Sequence, residues 1–200
     1  MNHWGVAWEE GQMSEALRII KQEHRNLFRV VHLMDHMVRG DSAPDRAFLR
    51  HIIEYIETFT DRFHHPKEDQ YLFKALRARE PAAEAILEEL EAEHENCPVS
   101  LTTLKQALDR WEAENSAEAR AAFVAQVQDY LRFQLKHMQK EEGIVLPMAQ
   151  KCLTPEDWAP IDAAFRDNDD PVFGPKARAE VRSMYSQLVN EAPAPFGIGG

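Results

Sequence analysis

From residue 13 to residue 151 the apolar side chains return every three or four positions, the rhythm of helices that turn one face inward. Leu17, Ile20, His24, Leu27, Val31 and Met34 draw the first stripe. Leu87, Leu90, His94, Cys97, Leu101, Leu104, Leu108 and Trp111 draw the third, and Phe123, Val127, Tyr130, Gln134, His137 and Glu141 the fourth. The second is less regular: Ile53, Ile56, Phe59, Phe63 and Pro66 share a face, and Pro66, which has no backbone donor, is expected to kink the helix. The stripes are interrupted at RGDSAPD (39 to 45), around Glu80 and Pro81, and at AENS (113 to 116). Four long helices with short connections imply antiparallel neighbours, hence an all-α, up-down-up-down four-helix bundle.

Beyond Cys152 the pattern changes. Thr154 reads as an N-cap with Pro155 at the first helical position and Asp157 as a capping-box acid, which predicts a short helix to about Arg166. A turn follows at RDNDDPVFGP, and residues 176–190 are expected to form a last helix with Val181, Met184, Tyr185 and Leu188 on one side. The chain thus divides into an N-terminal arm (1–12), the bundle (13–151), a C-terminal helical extension (152–190) and a tail expected to be disordered (191–200). Trp4 and Trp8 in the arm are expected to pack across the bundle.

Composition narrows the function. A chain of 200 residues with 44% hydrophobic residues can bury one proper core. A net charge of −11 argues against nucleic acid and anionic membranes as partners, since both select basic surfaces. The sequence lacks an apolar run long enough to span a bilayer and opens without a signal-peptide pattern, so a cytoplasmic location is expected. Cys97 and Cys152 lie in separate helices and outside any CxxC, which suits reduced thiols.

Histidines and carboxylates on otherwise apolar stripes carry the chemistry. Glu23-His24 recurs as Glu93-His94, and the HxxxE pair His64–Glu68 recurs as His137–Glu141. The flanks agree too, HHPKEDQYLF against HMQKEEGIVL, so His64 aligns with His137 while His65 falls opposite Met138. On that ground His65, with Asp69, is assigned to a place just behind the ligands or to the surface, and His32, His36 and His51 are expected to be exposed. An HxxxE pair on one helix is also a common surface ion pair, worth about 0.5 kcal/mol or less, but its duplication on buried stripes argues against that role. Two helix pairs related by a pseudo-twofold axis would bring His24, His64, Glu68, His94, His137 and Glu141 together. Buried carboxylates cost several kcal/mol each, on the order estimated for desolvated ions, unless cations neutralise them. Mixed nitrogen and oxygen donors suit iron, manganese or zinc, whereas calcium and magnesium want nearly all oxygen. The diad pattern suggests two metals bridged by the carboxylates and by solvent.

The ordered set EH, HHPKE, EH and HxxxEE resembles the hemerythrin family, specifically its HHE cation-binding branch, over about residues 14–150. The resemblance implies a non-haem di-iron centre that binds or reacts with dioxygen, nitric oxide or peroxide. It implies His24, His64, Glu68, His94, His137 and Glu141 as ligands, with Glu68 and Glu141 bridging two iron ions. One feature departs from the dioxygen carriers, which place two ligand histidines four apart on the third helix: here Leu90 and Pro98 flank His94 at that spacing. The pattern instead looks like the branch with four histidines and two glutamates, which includes iron-sensing and iron-sulfur-repair proteins, with Glu91 or Cys97 as local substitutes for the missing ligand. The expectation is a module binding or sensing dioxygen, nitric oxide or a related small ligand. The alternatives are an enzyme of peroxide or nitric oxide detoxification, with Glu142, Tyr130 or His65 as proton donor, and an iron-donor or repair protein.

Overall fold

The computed structural model describes residues 14–40, 44–167 and 170. The expectations for the arm at 1–12, the last helix at 176–190 and the tail at 191–200 concern residues outside those described. The first stripe forms α1 (Glu15–Arg39). The second run is segmented: α2 (Arg46–Tyr55), a π-helical stretch (Ile56–His64), the single turn α3 (His65–Lys67), a second π-helical stretch (Glu68–Phe73) and α4 (Lys74–Arg79). A 3-10 turn at Pro81–Ala83 leads into α5 (Glu84–Glu114). Then α6 (Ala117–Lys140) passes through a third π-helical stretch (Glu141–Val145) into α7 (Leu146–Cys152), and α8 (Pro155–Arg166) follows. The described residues are all-α, and the four long runs pack as a bundle, with α5 against α6, α1 against α6 and α2 against α5.

Local chemistry sets the ends of the runs. The Asp45 carboxylate accepts from the backbone N–H groups of Ala47 and Phe48 and starts α2. Asn115, with φ 49°, closes α5 in the left-handed conformation that asparagine tolerates, and Ser116 caps α6 by accepting from Ala119. Thr154 and Asp157 form the expected capping box on α8. α1 is capped from a distance: Ser14 makes no cap bond of its own, and the Asp162 carboxylate on α8 accepts from the Ala16 N–H (2.8 Å) and the Ser14 hydroxyl (2.6 Å).

The second run departs from a simple α stripe. Phe63, expected on the inner face, is 54% exposed, and His64 and His65 are buried instead. Pro66 cannot donate to the carbonyl four residues back, and its ring would clash there. The chain widens ahead of it, so that the His65 N–H reaches the Thr60 carbonyl five residues earlier. That extra residue in the turn rotates Phe63 out and both histidines in. The other two π-helical stretches begin at Glu68 and Glu141, the paired glutamates of the sequence repeat.

Two apolar clusters fill the interior. One gathers Leu27, Met34, Leu49, Ile53, Phe59, Leu101, Leu108 and Phe123, and the other Leu17, Ile20, Phe73, Leu76, Leu87, Leu146, Ile161 and Phe165. α8 contributes to the second cluster and closes that end of the bundle against α1. Buried histidines and glutamates occupy the helices between these clusters.

Candidate metal centre

The structure brings His24, His64, Glu68, His94, His137 and Glu141 together from all four runs, every one of them buried. Each glutamate reaches both halves of the chain. Glu141 Oε2 lies 3.2 Å from His24 Nε2, while its Oε1 lies 3.2 Å from His137 Nε2 and 3.6 Å from His94 Nε2. Glu68 Oε1 is 3.8 Å from His24 Nε2, and its Oε2 is 3.4 Å from His64 Nε2 and 3.7 Å from His94 Nε2. His94 Nε2 and His137 Nε2 stand 3.1 Å apart. The four carboxylate oxygens and His24 Nε2 are buried without a hydrogen-bond partner of proper geometry. Such atoms are costly to bury unless something else satisfies them, and this donor set fits a cation.

The outer nitrogens follow one rule. Every one of the four histidines turns Nδ1 toward a carboxylate, an acceptor only, so Nδ1 carries the proton and Nε2 points inward with a free lone pair in the neutral ring. His64 Nδ1 donates to Glu23 (2.7 Å) and His137 Nδ1 to Glu93 (2.9 Å). His94 Nδ1 donates to Asp69 (2.7 Å) and His24 Nδ1 to Glu142 (3.0 Å). The sequence repeat contained these four acids as the residues beside His24, Glu68, His94 and Glu141, but adjacency alone did not assign them as orienting partners.

For His65 the surface alternative and the pairing with Asp69 are corrected. His65 is buried rather than at the surface, its ring stacks on His94 (centroids 4.1 Å apart, planes 12°), and it packs edge-on against His137. Asp69 serves His94, and His65 faces Asp61 instead, with Nδ1 to Oδ1 at 3.7 Å. Neither local substitute on the third helix completes the set in the expected way. Glu91 holds Arg77 through two hydrogen bonds, and Cys97 is a fully buried free thiol near Asp61 and His65, pushed up by burial so that it stays protonated. Of the remaining histidines, His36 and His51 are exposed and His32 is half-buried. Tyr71 is 39% exposed, while Tyr130 is buried and its hydroxyl accepts from Gln134 Nε2 at 2.8 Å.

Electrostatics in the absence of a cation reflects competition between burial and charge. Burial works against protonating His24, but the carboxylates of Glu141, Glu142 and Glu68 outweigh it and hold the ring well above its ordinary value. His94 is raised in the same way to about 10, against burial, by Asp69, Glu141 and Glu68, and His137 is raised chiefly by Glu141. Burial would lift Glu141, yet His137, His24 and His94 hold it well below the carboxylate range. Protonation of these rings thus balances the same carboxylate charge that a cation would neutralise. Glu142 is lowered by its bond to His24, so it orients that ring and is poorly suited to donate a proton.

A cleft of about 380 Å³ between α1 and the run from α6 into the third π-helical stretch, lined by His24, Arg25, Phe28, Leu135, Met138 and Glu142 among others, borders His24. Among the described residues no helix is long and apolar enough to cross a membrane. The family model for the Hemerythrin HHE cation binding domain matches residues 15–149. A search of curated proteins finds no match.

Proposed function

Because the chain belongs to the hemerythrin HHE cation-binding family, we propose that His24, His64, Glu68, His94, His137 and Glu141 hold two iron ions and that the centre binds dioxygen, nitric oxide or a related small ligand. The observation that carries this reading is the set of inward Nε2 atoms, each backed by a carboxylate, around two glutamates whose oxygens have no protein donor. Each glutamate faces histidines of both halves, which favours carboxylates shared between two cations over two separate sites. Iron is preferred over manganese or zinc because the family implies it and the donor set suits it. When bound, iron supplies redox-active positions at which a small ligand can be held. The protein's own part is to fix the imidazoles, keep Nδ1 protonated through the orienting acids and exclude bulk water with the two apolar clusters. The cleft beside His24 gives a small ligand its approach, and the exposed Glu142 stands at its inner wall.

Protein purified from iron-sufficient cells is expected to carry about two irons per chain, measured by elemental analysis. His137→Ala or Glu141→Ala should remove at least one of them. Unchanged metal content in both variants would end the assignment. A stable ligand-bound spectrum that reverses under vacuum supports binding, while rapid oxygen evolution from peroxide favours a detoxifying enzyme.

A further inference from the structure

We propose that His65 supplies a fifth imidazole to this centre, on the side of His94 and His137, and that Asp61 is its positioning residue. The inference rests on the di-iron reading above and departs from the symmetry of the sequence repeat. Four imidazoles of the centre each hydrogen-bond a carboxylate at Nδ1, and Asp61 stands in the equivalent place behind His65, one helical turn back, with its Oδ1 3.7 Å from Nδ1 and so just beyond hydrogen-bond reach. His65 offers a ring nitrogen within 4.8 Å of ring nitrogens of both His94 and His137. Those two already stand 3.1 Å apart, close to the separation of about 3 Å expected for neighbouring nitrogens bound at roughly 2.1 Å to one ion.

Packing does not explain the pair. The Asp61 side chain is 6% exposed, and neither of its oxygens has a hydrogen-bond partner; His65 Nδ1 is likewise buried and unpartnered. A carboxylate and an imidazole left in that condition are destabilising, and an apolar ring would fill the space above His94 at lower cost. A cation beside His65 changes the balance, since the ring then has a ligand on one nitrogen and draws toward Asp61 on the other. The widened turn before Pro66 is what turns His65 inward. This places a third nitrogen on the His94 side from the second helical run, where Leu90 and Pro98 deny one from the third. Met138 stands at the matching position of the other half, so the two metal positions are unequal: three imidazoles serve one and two serve the other.

Iron-loaded full-length protein tests this through chelator-release kinetics and Mössbauer spectra. Two unequal iron environments are expected in the unaltered chain. His65→Phe keeps a ring over His94 but removes both nitrogens, and it should release one iron at least about tenfold faster while the other is retained. Asp61→Asn, a milder change that guards against a misfolded first variant, should act in the same direction and shift the same Mössbauer component. Unchanged release and unchanged spectra in both variants would overturn the role of His65 while leaving the six-ligand centre intact. An unaltered chain that binds no iron would instead overturn the di-iron reading and this inference together.

Discussion

At the scale of single residues, the orienting acids decide how well the centre is prepared. Glu142 is the most accessible of the four, with its side chain 42% exposed, and it holds His24 through Nδ1. Glu142→Gln keeps an acceptor of the same length but removes its charge, so His24 loses both basicity and a fixed tautomer. Metal affinity is expected to fall by about 10- to 100-fold, as for other carboxylates behind ligating histidines, in a competition titration against a chelator. An equal affinity would reduce Glu142 to a surface acid. The six central residues could be read from the chain because EH and HxxxE each occur twice and in the same order, with His24, His94, His137 and Glu141 on stripes that packing would fill with leucine. His65 could not, because the comparison of halves that singled out His64 also set His65 aside when it fell opposite Met138. The acids escaped for a different reason: each stands next to a central residue in sequence, beside His24 and His94 for Glu23 and Glu93 and beside Glu68 and Glu141 for Asp69 and Glu142, and neighbours on a helix point apart, so the partner of each lies on another helix and no local spacing reveals it.

At the scale of elements, periodicity predicted the four long runs and their breaks, since Pro81, Asn115 and Ser116 punctuate the chain by turn and cap chemistry. It failed at Phe63, where a three-and-four rhythm presumes i to i+4 bonding and the widened turn does not keep it. Long-range capping also lay beyond it. Asp162, far along the chain on α8, satisfies the first turn of α1. Asp162→Ala should therefore destabilise α1 and the α1–α8 contact together, by about 1 kcal/mol within the range for lost N-caps. Urea denaturation monitored by circular dichroism measures it, and a change below about 0.3 kcal/mol would mean that the Ser14 end of α1 is satisfied by water.

At the scale of the whole molecule, the centre links stability to pH and metal. In metal-stripped protein His24, His94 and His137 hold their protons more tightly folded than unfolded. Their contribution is complete below the ordinary value of 6.5 and drains away as pH rises, for His94 through about 10. Glu141 has the opposite sign: its contribution is present above 4.5 and is lost as pH falls through its much lower folded value. Thermal melts of the stripped protein are expected to drop between about pH 7 and pH 10, whereas iron-loaded protein should hold its melting temperature over that interval, because bound cations replace the protons. Parallel pH profiles with and without metal would contradict the coupling.

The acids are shared out unevenly between the two helical hairpins. Glu23 and Glu93 serve histidines of their own hairpin, but Asp69 reaches across to His94, and Glu142 reaches back to His24. A fragment cut at the Pro81 turn would keep two of the central imidazoles and one central glutamate, with one imidazole stripped of its supporting charge. Neither fragment is a working half, and only re-association would restore the exchange. The seam between the hairpins, not either hairpin alone, is therefore where the two exchanged contacts are made.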